Sequence, residues 1–186
     1  HIADFVGIRS FVGTALMFVG VITVLCTGVR GASAETVLLE SEGLAIELSE
    51  HHKVVRVVQD ETGAAFALYG FTASAELHVF SLNGDDAQRA KARKALQETI
   101  LANEKHLGLK PSKAHRLALQ GCSARVQRFS NDGHEALIVS CANDRETRLY
   151  TWRLEVDASL KQDRAILVQS FLSWLQGSVE IRPAAE

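Results

Sequence analysis

The spacing of hydrophobic positions changes several times along this chain, and each change marks an element. From Ser10 to Val29 the run SFVGTALMFVGVITVLCTGV is apolar and carries no charge. Further on, Leu44, Ile46 and Leu48 alternate with Ala45 and Glu47, the period of a half-buried strand. Val54–Val58, Ala64–Phe71 and Ala75–Leu82 continue as strands. Turn-forming Asp60-Glu61-Thr62-Gly63 and Asn83-Gly84-Asp85-Asp86 punctuate them. The period then becomes helical. Either Asp85 or Asp86 can cap the free N–H groups of a first turn, and no glycine or proline intervenes until Gly108 and Pro111. Ala92, Leu96, Ile100 and Leu107, with Leu101 beside them, make one narrow apolar stripe, so this helix lies on a surface with one face buried.

Residues 117–156 predict a three-stranded meander. Ser130-Asn131-Asp132-Gly133 is a turn tetrad between two strand-like runs. A hairpin centred between Asn131 and Asp132 sets Cys122 opposite Cys141, Ala124 opposite Val139, Val126 opposite Leu137 and Arg128 opposite Glu135. The apolar pairs then share one face, which a one-residue slip would destroy. In that register the two cysteines form a non-hydrogen-bonded pair, about 4.5 Å apart at Cα and within disulfide reach. Asn143-Asp144 makes the next turn, and Tyr150, Trp152, Leu154 and Val156 share a face of the third strand. A second helix is expected from near Asp157 or Ser159 to Gly177. Its wide stripe of Leu167, Val168, Phe171, Leu172, Trp174 and Leu175 covers that apolar face. The reading is α+β: an antiparallel sheet with two packed helices, one domain over 35–178 and an exposed tail over 179–186.

Flanking residues give the early apolar run its meaning. Arg9 precedes it, Arg30 follows it, and Ala32-Ser33-Ala34 offers a small-residue cleavage site before Glu35, the order of a secretory signal peptide. The run also has about the ~20 residues needed to cross a bilayer, so an uncleaved anchor through residues 10–29 is the alternative. Lipidation at Cys26 would need a small residue before it, and Leu25 is not one. Residues 1–34 are therefore expected to be a leader or anchor, and the rest to be exported, periplasmic or secreted. Removing them takes away Arg9, Arg30 and Asp4, so the net charge moves only from −2 to −3. It also removes Cys26, leaving Cys122 and Cys141 to pair in an oxidising compartment. A chain this close to neutral is not expected to bind nucleic acid.

Candidate chemistry is sparse. There is no G-x-S-x-G elbow, H-E-x-x-H, Walker loop, G-x-G-x-x-G or C-x-x-C. No cofactor is expected, and no catalytic residue is assigned. His51 and His52 beside Glu50, and His134 within Asp132-Gly133-His134-Glu135, are the residues a metal would use. Adjacent strand residues point to opposite faces, however, and Glu135 has a partner in Arg128. Arg89, Lys91, Arg93 and Lys94 cluster in the first turns of the first helix, where the macrodipole disfavours cations. They are the candidate surface for an acidic protein or anionic headgroups. Trp152 and Trp174 fall on core faces.

The order strands, helix, meander, helix comes with three local patterns: GLAIELSEHHKVVR, LQGCSARVQRF and ILVQSFLSWL. Over roughly residues 42–175 the chain resembles the PsbP-like superfamily, which includes the extrinsic photosystem subunit and many small exported bacterial proteins. The resemblance implies an antiparallel sheet with helices packed on it, no shared catalytic site, and a binding or assembly role. The expectation is an exported, non-enzymatic accessory protein whose partner is another protein or a membrane-associated complex, with oligomeric state left open. Two alternatives stand beside it. One is a small secreted hydrolase or metal-dependent enzyme using His51, His52 or His134; the other is an inhibitor or immunity-type protein.

Overall fold

Eleven strands and two helices follow one another in the computed structural model, which describes residues 34–143, 145–160 and 163–183. The expected leader up to residue 33, and Asp144, lie outside the described residues. In chain order the elements are β1 (Glu35–Leu39), β2 (Leu44–Leu48), β3 (Lys53–Asp60), β4 (Gly63–Tyr69), β5 (Ser74–Ser81) and α1 (Asp86–His106). Then come β6 (Lys110–Pro111), β7 (His115–Leu119), β8 (Cys122–Ser130), β9 (His134–Ala142), β10 (Arg148–Asp157), α2 (Arg164–Ser178) and β11 (Val179–Ile181). The main sheet is antiparallel, with order β3-β4-β5-β10-β9-β8-β6, and β7 also pairs with β8. A three-stranded sheet has order β1-β2-β11. The expected α+β class holds.

Strand parity decides where the core sits. One face of the main sheet presents Phe66, Leu77, Trp152, Val139 and Val126, all buried. The small sheet brings Leu44, Ile46, Val179 and Ile181 to the same core, and α2 brings Val168, Phe171, Leu172 and Leu175. The opposite face carries a smaller cluster of Leu109, Phe129, Ala136 and Ile138, against which Ile100 and Leu101 of α1 pack. The two helices thus cover opposite faces of one sheet.

Asp85 caps α1 as expected. Its carboxylate accepts the Gln88 N–H at 2.9 Å, and the Gln88 side chain accepts the Asp85 N–H at 2.9 Å, a reciprocal capping box. The far end departs from the expected stripe. The helix stops at His106, and Leu107 is 63% exposed. Gly108 adopts φ +75°, so the chain reverses and sends Leu109 inward in place of Leu107.

The hairpin register also differs. Val126 faces Val139, Arg128 faces Leu137 and Ser130 faces Glu135, two residues from the expected pairing. Asn131 is the cause. Its side-chain oxygen accepts the N–H groups of Gly133 and His134 at 2.8 and 2.7 Å, and its own N–H donates to the His134 carbonyl at 3.0 Å. Asn131 and His134 therefore close the turn, one residue later than the tetrad expected. A shift of two keeps every side chain on its expected face. Cys122 and Cys141 are consequently linked diagonally rather than directly across, with Cα atoms 6.3 Å apart, and the disulfide joins β8 to β9.

Two further expectations are corrected near the C-terminus. The Asp157 carboxylate accepts the Ser159 N–H at 2.7 Å and turns the chain through a short 3₁₀ segment, Ala158–Leu160, so α2 begins only at Arg164. Residues 179–181 are not an exposed tail. Helix α2 runs through Gly177 and passes directly into β11, which pairs with β2 through Val179↔Ile46 and Ile181↔Leu44. Val179 and Ile181 are apolar two residues apart, the strand period, and both are buried.

Candidate functional site

Helical geometry divides the basic cluster of α1. At about 100° per residue, Arg89 and Arg93 lie on one side of the helix, and Lys91 and Lys94 on another. Arg89 pairs with Asp86, and Arg93 reaches Glu146 in the β9–β10 turn. Lys91 and Lys94 are exposed, with Lys94 3.9 Å from Glu98. The four side chains therefore present no single surface: Arg93 ties the helix to the β9–β10 turn, Arg89 bonds around the helix's own N-terminus, and the two lysines face outward.

The histidines are also separated. His51 is exposed and lies 3.3 Å from Glu50. His134 sits opposite Asp157 at the end of the β9–β10 ladder. His52 enters an aromatic group instead, with its ring centroid 4.5 Å from Phe71 and 6.0 Å from Trp174. Phe71 packs in turn against Phe171 at 5.2 Å. The Ser49 hydroxyl and His52 Nδ1 are hydrogen-bonded at 2.6 Å. Gly70, at φ +99°, makes this approach feasible, since a Cβ there would stand 2.2 Å from the His51 carbonyl oxygen. Among the described residues, no three His, Cys, Asp or Glu side chains gather as a metal site would require. Trp152 is fully buried, as expected, whereas Trp174 is only partly so and completes the aromatic group.

Burial, then the neighbouring His51, holds the His52 pKa below its ordinary value. A depressed imidazole pKa means that the folded chain binds fewer protons than the unfolded chain below about pH 6.5. The stability this provides is complete above that value and is lost as pH falls through the folded pKa. Thermal melts between about pH 7.5 and about pH 5 should therefore show a steeper loss of Tm for the native chain than for a His52→Phe variant. Parallel curves would remove His52 from the account.

A polar line beneath α1 was not foreseen from the sequence. Glu104, only 4% exposed, receives Arg153 through Nε at 2.7 Å and Nη2 at 3.4 Å. Arg153 also donates to Glu155 at 2.6 Å. Burial disfavours the charged guanidinium, but Glu104 and then Glu155 more than offset this and hold its pKa above the usual arginine range. On β5, the hydrogen bond from His78 is the main reason that the Glu76 carboxyl lies below its ordinary value; burial opposes it. Gln97, Ile100, Leu101, Arg125, Gln127, Ile138 and Ser140 line a cleft beside this line, between α1 and β8–β9. The cleft has room for about one water, so it is a packing seam rather than a substrate pocket.

No protein-family profile matches the chain, and no curated protein does. The solved structures define its class: the chain has a PsbP-like fold. The solution structure of cyanobacterial PsbP (CyanoP) from Synechocystis sp. PCC 6803 superposes with a TM-score of 0.56 at 14% identity. The match covers 85% of this chain and 98% of that one. Among the described residues no helix is long and apolar enough to cross a membrane.

Proposed function

We propose that the chain is an exported accessory or assembly protein that works by binding, on the extracytoplasmic side of a membrane, to another protein or to a membrane-associated complex. One observation carries this reading: nearly the whole of the cyanobacterial PsbP chain is matched by this one. Fold likeness supports a role only by analogy. The diagonal disulfide and the Ser10–Val29 run support placement in an oxidising compartment outside the cytoplasm. The outer face of α1, with Lys91 and Lys94, is the first contact to test, because Arg89 and Arg93 are committed to internal ion pairs.

Chemical cross-linking in the native envelope, followed by mass spectrometry, tests the reading. The expected result is one recurrent protein partner whose cross-links fall sharply in a Lys91→Glu/Lys94→Glu variant. Recurrent cross-links that are indifferent to that variant would move the contact elsewhere on the chain. A chain without recurrent cross-links would overturn the accessory role.

A further inference from the structure

We propose that the sheet edge formed by β6 and β7, together with the turn that leads into it from α1, is a docking surface for the anionic face of a lipid bilayer. From Lys105 to Asn131 the sequence carries Lys105, Lys110, Lys113, Arg116, Arg125 and Arg128 and no aspartate or glutamate. The other residues hold fourteen Lys and Arg against twenty-two Asp and Glu, so the near-neutral total conceals a strongly polarised chain. The fold places the basic stretch along one border. β6 and β7 both lie along β8, with Lys110 opposite Ser130 and Arg116 opposite Arg125. Lys110, Lys113, His115, Arg116 and Arg125 are exposed.

The cross-strand pair Arg116 and Arg125 is informative. Like charges directly opposite one another destabilise a sheet unless something anionic meets them. The hydrogen bonds these two make are to neutral groups: Arg116 donates to Ser123 at 3.3 Å, and Arg125 to Gln127 at 3.0 Å. Arg128 is different, since it lies 4.0 Å from Glu135 and is left out of the surface. Between Lys105 and Lys110, the exposed Leu107 projects beside the cations, the combination that favours the headgroup boundary of a bilayer. The charges are spread along an edge without a shaped cavity. A fluid headgroup layer can match such a surface; a compact ligand would need convergent groups.

This inference rests on the charge distribution and goes beyond the accessory reading, which could fail on its own if the chain bound vesicles but no protein. The test is co-sedimentation of the purified chain with vesicles of phosphatidylcholine containing about one-third phosphatidylglycerol, against vesicles of phosphatidylcholine alone. Binding is expected only to the anionic vesicles at about 0.05 M salt and should be released at about 0.5 M, where the Debye length is much shorter. Substituting Lys110→Gln, Lys113→Gln, Arg116→Gln and Arg125→Gln should weaken binding roughly fivefold per charge. Lys53→Gln, at an exposed lysine on the opposite edge strand β3, should leave it unchanged. If the fourfold variant does not fold, the single variants at exposed Lys110 and Lys113 should each show the fivefold loss. Absent binding at low salt, equal binding to neutral vesicles, or undiminished binding by the neutralised variants would overturn the proposal. Preference for polyglutamate over the vesicles would overturn it as well, by assigning the edge to an acidic protein.

Discussion

Replacing Glu104 with leucine should lower the stability of the folded chain by about 3 kcal/mol, the cost of leaving half of a buried ion pair without its partner. Glu104 is almost completely covered by α1 and the sheet, and its two oxygens meet Nε and Nη2 of Arg153. Removing the carboxylate leaves Arg153 hydrogen-bonded to Glu155 at 2.6 Å, with Glu76 opposite it on β5. The double variant Glu104→Leu/Arg153→Met should regain part of the loss, because two matched apolar side chains leave no buried charge behind. Urea unfolding of the four species gives the coupling directly. Strictly additive losses would mean that the two residues act independently of one another.

Removing the disulfide has a comparable effect by another route. A Cys122→Ser/Cys141→Ser variant should lose about 3 kcal/mol in the loop-entropy account, since the bridge closes a separation of 19 residues. Most of that difference belongs to the unfolded chain, so the folded β8–β9 register should survive in the variant. Denaturant midpoints of the oxidised, reduced and substituted chains measure the loss. Agreement between the reduced native chain and the double serine variant would assign it to the bridge. Equal midpoints before and after reduction would show that the bridge contributes nothing to stability.

Much of the fold was legible because sidedness needs only parity. Alternation assigned Ala124, Val126, Val139, Tyr150 and Trp152 to one face, and the two-residue difference in register left those assignments intact. Register itself was set by Asn131, whose side chain can bond more than one neighbouring N–H, so composition at the turn did not specify where the loop begins. The same limit applies at Asp157, which bonds locally and delays α2. β11 was legible in principle, since Val179 and Ile181 alternate; three residues beside a charged tail were too short a signal. The polar line beneath α1 was not legible, because Glu104 and Arg153 look like solvated charges until the fold brings them together. The division of the basic helix cluster escaped the sequence for the converse reason. Nearness in sequence gathered four cations that a helix points in different directions.

β11 also sets the order in which the chain can finish folding. β2 is flanked by β1 and by residues 179–181, so its second neighbour lies far from it along the sequence. The hairpins of the main sheet can form between neighbouring segments, but the small sheet closes only when β11 returns to β2. Such non-local closure is slow compared with hairpin formation.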